Sequence, residues 1–593
     1  MMTQISQRLS VIDLKQRGKI IGSLLAVVIG IVVGFIVIGF RKFIDLVQYM
    51  LLGTEDNDIF TYVDSLHWTD ILFSTLAGGI AVSLLFRFIM KSNRAYSVAD
   101  VMTANAINNA VIPTRKGLIS AVISSVALGA GSSAGREGLV VHLGATLSSW
   151  LSQKLGLRPN TSRVALGCGV AAAISASFNA PIAGVFFSLE VILGHYALSA
   201  FAPIVLASVT ATIVSRIYIG DFPAFIIPNY HITTFWEFPA FILLGITSGV
   251  AAIIFLKSIA FTEDISTKIP IPEWTRPILG SLAVGLLALI SPYILGHGYG
   301  TTNAALTELL SLKLLLLLII LKIAATSVSL AFRFGTGILS PSLFLGAMVG
   351  GAFGFMASRT AEFFGYADFS YGLYAILGMG AVAAAVLGAP ISIILIIFEL
   401  TGDYQITIAL MVSVVIANLI TQHFLEVDNF FKMELKNQGI DLEGGRSRHA
   451  MQSTYVRSLM INSYTTASSN VTVGQIHDML LAGQHDHIFI LDDNQRIIGT
   501  MTVAELRVAY AQEKEDEKDT LAIASSPAIT YARDTSIVLT SSDNLEDAFQ
   551  KFASSGEETL PVVTDDVQTE IIGILRLKYV LQAYNKALLD EKE

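Results

Sequence analysis

The chain has few charged residues, which make up 14% of its 593 positions, against roughly 25% in an average soluble protein. This scarcity, beside 53% apolar side chains, excludes a disordered chain or an ordinary soluble enzyme and predicts a polytopic membrane protein. Cysteine is almost absent, and the single Cys168 excludes a disulfide framework and any multi-cysteine metal site. A net charge of −9, from 38 basic and 47 acidic residues, argues against nucleic acid as a partner.

The N-terminal segment predicts how the chain is oriented in the membrane. An apolar run from about residue 20 to 40 is long enough to span a bilayer, and it lacks the small-residue cleavage pattern of a secretory signal. The basic residues Arg8, Lys15, Arg17 and Lys19 precede this run. By the positive-inside rule, we expect residues 1–19 to lie in the cytoplasm of a multi-pass cell-membrane protein.

Apolar stretches follow one another through residues 20–440, the predicted membrane domain. Longer stretches such as 278–295 predict spanning helices. Others are short and interrupted by glycine and proline, for example 181–193 and 389–400. These short pieces predict broken helices that are buried within protein.

The membrane domain contains an internal repeat. Residues 178–190 recur 209 positions later as 387–399, and residues 135–145 resemble 337–347, 202 positions later. Such repeats are typical of transporters built from two related halves, with the binding site at their interface. Chance similarity of glycine- and alanine-rich segments is the alternative. Because the spans contain no metalloprotease, phosphate-loop or magnesium-site pattern, we do not expect an enzyme.

The glycine-rich stretch 131–138, Gly-Ser-Ser-Ala-Gly-Arg-Glu-Gly, carries the first candidate site. Its glycines allow a helix to begin abruptly, and the free N–H groups of a helix N-terminus attract anions. Arg136 adds positive potential, whereas Glu137 places a carboxylate where an anion would bind. We interpret Glu137 as a tethered competitor for that site, since an ionisable residue inside a membrane points to function. The alternative is that Arg136 and Glu137 only neutralise each other or cap a helix.

The stretch 335–341 follows the same pattern in the second half of the repeat. There the backbone N–H groups of Ile338 and Leu339 are placed to face an anion; a packing loop between helices is the alternative. Other carboxylates lie near the ends of apolar pieces, where we expect hydrogen bonds that support the fold. These are Glu190, Glu399 and Asp403.

A soluble region is predicted from residue 453, where charged residues become common and apolar runs shorten to strand length. Residues 488–499 parallel 561–573, since each follows a helical pattern and contains a strand, a turn with two acids and a second strand. The predicted boundaries are a linker at 441–452, a first repeat at 453–510, an acidic linker at 511–530 and a second repeat at 531–593.

Several of these motifs together resemble the CLC family of chloride channels and proton-coupled chloride transporters, followed by a pair of CBS domains. Residues 135–138 are similar to the family's G-[KR]-E-G-P, with Leu139 in place of proline. Residues 337–341 are similar to G-x-F-x-P, with leucine in place of phenylalanine. The segments 178–181 and 398–404 also resemble family segments.

The resemblance implies an all-α polytopic membrane domain with two inverted halves of broken and tilted helices, followed by an α/β CBS pair in the cytoplasm. It also implies a homodimer in the lipid bilayer, with one pathway for chloride or another small anion in each subunit. Glu137 would be the gating glutamate. The backbone of Ile338 and Leu339 would bind the anion, next to Arg136 and Gly138.

The chain departs from the family at three positions. Tyr96 stands in place of a serine whose hydroxyl touches the anion, and Phe431 stands in place of a late pore tyrosine; we assign both to the anion pathway. Val191 occupies the place of an inner glutamate and cannot relay a proton, although Glu190 or water could take that role. We therefore favour channel-like chloride conduction gated by Glu137, with a proton-coupled chloride antiporter as the alternative. A CBS-regulated transporter of another ion and a membrane sensor without transport are more distant alternatives.

The CBS pair resembles modules that often bind adenosine nucleotides through a Thr/Ser-x-x-Asp motif. The first repeat has Thr502 and Glu505 at these positions, whereas the second has Arg576 and Tyr579. The resemblance therefore implies an adenosine nucleotide site at Thr502 and Glu505, and no other cofactor. A purely structural, dimer-stabilising module is the alternative.

Overall fold

A computed structural model of the chain divides by its contacts into two units, Met1–Ile440 and Asp441–Glu593. Most of the linker predicted at 441–452, and residues 517–522 of the acidic linker, lie outside the described residues. The structure describes residues 2–53, 62, 66–90, 94–221, 225, 227–228, 230, 237–363, 370–425, 427, 429–440, 451, 454–483, 486–516, 523–534, 537–564 and 570–592.

The first unit is built from α-helices, as the apolar texture of the sequence predicts. Two of its helices, α2 and α7, continue into π-helical turns, Phe86–Met90 and Ser188–Leu193. The helices are α1 (Met2–Leu52), α2 (Trp68–Leu85), α3 (Val98–Ala106), α4 (Thr114–Gly129), α5 (Glu137–Lys154), α6 (Pro159–Phe178), α7 (Pro181–Phe187), α8 (Leu198–Ile219), α9 (Phe238–Lys268), α10 (Arg276–Ala288), α11 (Tyr299–Leu306), α12 (Leu312–Ala331), α13 (Leu339–Phe363), α14 (Tyr371–Leu387), α15 (Pro390–Thr401), α16 (Tyr404–Phe424) and α17 (Phe430–Asn437).

Within the described residues, eight helices have the length and hydropathy to cross a bilayer: α1, α2, α6, α8, α9, α12, α13 and α16. Three shorter apolar segments accompany them, Pro181–Leu193, Tyr371–Leu387 and Pro390–Thr401. Every residue from Gly372 to Leu387 is buried. The burial of α14 is what the sequence predicts for a short apolar piece, because irregular backbone at membrane depth must be buried in protein. The other two segments are less enclosed, since Ile182 and Ile391 are 46% and 42% exposed.

The stretch 278–295 is not a single spanning helix, contrary to the sequence prediction. Its helix, α10, ends at Ala288, and Pro292 begins a separate 3₁₀ turn, Pro292–Ile294. Proline disfavours the helical conformation at the residue before it. Ser291 accordingly has extended backbone angles, φ −156° and ψ 106°.

The two repeated segments meet and cap each other. The Glu190 carboxylate accepts hydrogen bonds from the N–H groups of Ile391 (3.1 Å) and Ser392 (2.8 Å), at the start of α15. In the same way Glu399 accepts from the first turn of α7, at distances of 2.9 and 2.8 Å. Each half therefore satisfies the unpaired N–H donors that begin a short helix of the other half.

The second unit contains two three-stranded sheets with the same topology. In each sheet the first strand runs parallel to the second, and the second runs antiparallel to the third. The elements are β1 (Thr465–Ser468), α18 (Val473–Leu481), β2 (His487–Leu491), β3 (Ile497–Thr502), α19 (Val503–Asp516), β4 (Leu539–Thr540), α20 (Leu545–Ser555), β5 (Thr559–Val563), β6 (Ile571–Arg576) and α21 (Leu577–Lys592).

The two C-terminal repeats exchange segments. Ile461, before the first repeat's strands, pairs with Ile574 in β6, and Arg533, before the second repeat's strands, pairs with Thr500 in β3. Val456 is likewise buried in the apolar core of the second repeat. Each repeat is therefore completed by a segment that precedes the strands of the other, which sequence periodicity alone does not indicate.

Candidate anion site

A narrow cavity of about 20 Å³ lies where four helices of the first unit begin. The helices α3, α5, α13 and α17 start at Val98, Glu137, Leu339 and Phe430, and all four residues line the cavity. Unpaired N–H groups and the positive ends of the helix dipoles favour a bound anion at such a place. The volume suits a single water-sized guest.

Two glycine loops bring the motifs of the two halves together at this cavity. The Gly135 N–H donates to the Gly337 carbonyl oxygen at 2.8 Å. Gly337 has φ +93°, and a Cβ added there would lie 2.3 Å from the Gly135 carbonyl oxygen. A side chain is excluded by both the backbone angle and the contact. The pairing of these loops places the starts of α5 and α13 side by side.

The Glu137 carboxylate is enclosed, with only 1% of the residue exposed. Its Oε1 accepts a hydrogen bond from the Tyr299 hydroxyl at 2.7 Å, and its Oε2 accepts one from the Ser340 hydroxyl. The Nε of Arg136 lies 3.7 Å from Oε1. Buried charges need such partners, and Ser340 is the second residue of α13. The carboxylate thus lies where that helix N-terminus would otherwise attract a mobile anion.

Arg136 contributes potential to the site and is not part of the cavity lining. Its guanidinium lies 4.6 Å from the ring centroid of Tyr299, and the residue is 6% exposed. The predicted anion residues that do line the cavity are Gly138, Ile338, Leu339 and Phe431, together with Glu137.

Ser97 lines the narrow cavity, whereas Tyr96, which the sequence analysis assigned to the anion pathway, is not among its lining residues. The Tyr96 ring packs against His142 at a centroid distance of 5.3 Å. The Arg94 guanidinium lies 5.8 Å from the same ring. The Ser97 hydroxyl donates to Oε1 of Glu434 at 2.7 Å.

Phe431 provides an apolar wall and no hydrogen-bond donor. Apart from Ser97, Glu137, Glu434 and the two glycines Gly138 and Gly337, the cavity is lined by aliphatic and aromatic side chains. The apolar lining residues are Val98, Val141, Ile174, Phe187, Ile338, Leu339, Leu387, Phe430 and Phe431. An anion in this cavity would therefore depend on backbone N–H groups and on Ser97.

Neither residue of the predicted proton pathway lines the narrow cavity. The Glu190 carboxylate caps α15, as described above, and Val191 is buried in the apolar core. Asp403 caps α16 by accepting from the N–H groups of Gln405 (2.7 Å) and Ile406 (3.0 Å). The prediction that Glu190, Glu399 and Asp403 support the fold through hydrogen bonds is confirmed.

Sequence reasoning missed four residues at the site. Tyr299 lies in no motif, so no sequence signal pointed to it. Ser340 lies within the motif 337–341, yet the motif gives no role to its hydroxyl. The sequence did contain a signal for the other two residues. Ser97 is adjacent to Tyr96, and Glu434 lies one helical turn after Phe431, on the same helix face.

The C-terminal unit has a cavity of about 430 Å³ at the predicted nucleotide motif. The Thr502 N–H donates to Oε2 of Glu505 at 3.1 Å, and the Thr502 hydroxyl donates to the same oxygen. Arg533 Nε lies 3.5 Å from Oε1 of Glu505. Burial alone would raise the pKa of Glu505, but the Thr502 hydrogen bonds and the Arg533 charge bring that pKa below its usual value. Asp534 and Glu557 also line the cavity, so its lining is net acidic.

Comparison with known proteins matches both units. The family described as voltage gated chloride channel matches residues 78–422, and the CBS domain family matches residues 456–512 and 529–586. A ClcB-like chloride channel protein of Ralstonia nicotianae is 31% identical over 390 residues, which cover 65% of this chain and 90% of that protein. Chloride channel protein CLC-e of Arabidopsis thaliana is 30% identical over 381 residues, which cover 60% of this chain and 52% of that protein.

Solved structures share the fold. A slow cyanobacterial Cl⁻/H⁺ antiporter has a TM-score of 0.61 at 21% identity and covers 70% of this chain and 97% of its own. A eukaryotic CLC transporter has a TM-score of 0.59 at 16% identity, and the match covers 94% of this chain and 97% of that transporter. With the family match spanning more than half of its length, the chain belongs to the voltage-gated chloride channel family and carries a C-terminal pair of CBS domains.

Proposed function

We propose that the protein conducts chloride across the cell membrane, and that Glu137 gates this flux by competing with the anion for its site. The observation that carries the proposal is the convergence of four helix N-termini on one narrow cavity, with the Glu137 carboxylate held at one of them. An ionised Glu137 excludes chloride from that position, and a protonated or displaced Glu137 admits it.

Channel-like conduction is the mode that the proton-pathway positions support. Val191 has no group that carries a proton, and the Glu190 carboxylate is engaged by N–H groups of α15. Proton-coupled exchange is the second candidate. It is favoured by a second carboxylate, Glu434, in the lining of the cavity that Glu137 also lines.

The experiment measures chloride efflux and proton movement from proteoliposomes that contain purified protein, between about pH 5.5 and pH 8. We expect chloride efflux without sodium flux, and no proton uptake driven by a chloride gradient. Glu137→Gln removes the competing charge while keeping the side-chain shape. It should raise efflux at pH 8 and reduce the dependence of efflux on pH.

Asp264→Asn is the matched control, because Asp264 is an exposed carboxylate whose partner is Lys268 on the same helix. Its pH profile should equal that of the wild type. Identical profiles for wild type and Glu137→Gln would contradict gating by Glu137. Proton uptake in fixed ratio to chloride would establish exchange, and sodium flux without chloride flux would contradict anion transport.

We also propose a setting for this activity. The basic residues before the first apolar run support a cytoplasmic N-terminus, and the family supports a homodimer with cytoplasmic CBS domains.

In the C-terminal cavity we propose an adenine nucleoside or its monophosphate, with Glu505 accepting hydrogen bonds from the ribose hydroxyl groups. The acidic lining disfavours additional phosphate groups.

A further inference from the structure

Glu434 lies at the junction of two cavities. A wide cavity of about 200 Å³ adjoins the narrow cavity, since Ser97, Gly337, Phe430 and Glu434 line both. An anion that moves from the wide cavity to the narrow one must therefore pass the Glu434 carboxylate.

The Glu434 carboxylate is only partly satisfied. Its Oε1 accepts the hydrogen bond from Ser97, whereas its Oε2 is buried and accepts no hydrogen bond from any residue that the structure describes. The side chain as a whole is 22% exposed. A buried acceptor without a donor is costly, and protonation or a change of partner relieves that cost.

The charges that face Glu434 are committed elsewhere. Arg94 Nη1 lies 3.9 Å from Oε1, but the Arg94 guanidinium is bound by both oxygens of Asp100 at 2.7 and 2.8 Å. Arg333 pairs with Glu263 at 3.1 Å. Helix α17, which carries Glu434, adds two lysines at positions 432 and 436. The cations near Glu434 thus each serve another carboxylate or extend from its own helix.

The protonation of Glu434 changes near neutral pH. Burial raises the pKa of its carboxyl, and the negative charge of Asp100 adds to this rise. The Ser97 hydrogen bond and the charges of Arg94 and Arg333 oppose it, and the resulting pKa is about 7. The carboxyl is therefore mainly charged at pH 8 and mainly neutral at pH 5.5.

We propose that Glu434 is a second, proton-operated gate at the junction of the wide and narrow cavities, distinct from Glu137. When charged, it repels an entering anion and holds the Ser97 hydroxyl. When protonated, it carries no charge and lets the anion pass. This inference rests on the proposed anion pathway through the narrow cavity.

The test is Glu434→Gln, measured as chloride efflux from proteoliposomes between pH 5.5 and 8, in the wild-type and the Glu137→Gln backgrounds. The glutamine carbonyl still accepts the Ser97 hydrogen bond, so the contact between α17 and α3 is kept. At pH 8 a carboxyl with a pKa of about 7 is protonated in roughly one molecule in ten. Glu434→Gln should therefore raise efflux at pH 8 about tenfold, and leave efflux at pH 5.5 nearly unchanged.

Glu137→Gln alone should keep a pH dependence with its midpoint near 7, and the double variant should lose it. Ser97→Ala is a second variant that leaves Glu434 in place. Because the Ser97 hydrogen bond lowers the pKa of Glu434, its removal should move the midpoint of efflux to higher pH.

If Glu434 had only a structural role, these variants would not change the pH dependence of efflux. Its glutamine variant, and Ser97→Ala, would then follow the wild-type pH profile, as Asp264→Asn should, and that result would overturn the inference alone. A wild-type protein that carries no chloride would overturn the proposed function, and this inference with it.

Discussion

Glu137 is held in place by hydroxyl groups from two different helices. Tyr299 begins α11 and Ser340 lies in the first turn of α13, and each binds a different oxygen of the carboxylate. The strength of these bonds sets how readily the carboxylate leaves the site. The gate is therefore a property of three residues, only one of which a sequence motif identifies.

Removal of the Tyr299 hydroxyl should loosen this gate. A hydrogen bond to a charged group contributes about 1.5–3 kcal/mol, so Tyr299→Phe should raise chloride efflux at pH 8 at least about tenfold. The comparison with the wild type is made between pH 5.5 and pH 8. Proteoliposome efflux across this pH range provides the measurement.

Tyr374→Phe is the matched control for Tyr299→Phe. It removes a buried hydroxyl that makes no hydrogen bond with the described residues, and Tyr374 does not line the narrow cavity. Equal efflux in Tyr299→Phe and Tyr374→Phe at pH 8 would show that Tyr299 does not hold the gate.

Single residues were the least predictable part of the site. The motif around Glu137 and the loop around Ile338 and Leu339 were identified because glycines and an intramembrane carboxylate leave a sequence signal. Tyr96 was assigned by alignment of neighbouring positions. A shift of one residue decides which side chain faces the cavity, and the packing of the Tyr96 ring on His142 is invisible in the sequence.

Two short helices that start at prolines tie the two halves of the membrane unit together. α7 and α15 begin at Pro181 and Pro390, and each receives the carboxylate of the other half. The sequence repeat, with its offset of 209 residues, predicted that α7 and α15 are equivalent helices of the two halves. The exchange of carboxylates between them depends on how the halves pack, which periodicity does not encode.

Glu190→Ala should therefore destabilise the protein without altering its gating. Loss of the cap leaves the N–H groups of Ile391 and Ser392 without their partner, at a cost of about 1–3 kcal/mol. We expect a lower Tm in detergent and an unchanged pH profile for the protein that reconstitutes. Glu399→Ala is the matched variant in the other half and should behave alike.

Contrary results would assign a different role to Glu190. If Glu190→Ala kept the wild-type Tm and abolished proton movement in an exchanging wild type, Glu190 would belong to a proton pathway. The same loss should then be absent from Glu399→Ala.

At the scale of the whole molecule, a membrane unit is joined to a C-terminal unit with its own ligand-sized cavity. The sequence predicted both units, because charge density and hydropathy change sharply near residue 453. It also predicted the paired strands of each CBS repeat. The exchange of segments between the repeats, such as Ile461 with β6, was not predicted, since isolated bridges leave no periodic pattern.

The C-terminal cavity should prefer adenosine or its monophosphate to the triphosphate. We expect these ligands to raise the Tm of the full-length protein, and Glu505→Gln to remove the rise. The pKa of Glu505 lies below its usual value, so the carboxylate is charged at any pH above that lowered pKa. Ligand binding should thus be constant from pH 5.5 to 8 and weaken only as the pH falls through the lowered pKa.

Stronger binding of the triphosphate would contradict this assignment of the cavity, as would equal binding by Glu505→Gln. A Tm that no nucleoside or nucleotide changes would favour the purely structural role of the CBS pair.

The central claim is that the starts of α3, α5, α13 and α17 form an anion site for which Glu137 competes. Its most direct test is anomalous diffraction from bromide-grown crystals of the wild type and of Glu137→Gln. We predict a bromide peak in the narrow cavity beside Ile338 and Leu339, stronger in Glu137→Gln than in the wild type. Bromide bound elsewhere in Glu137→Gln, with none in that cavity, would contradict the account.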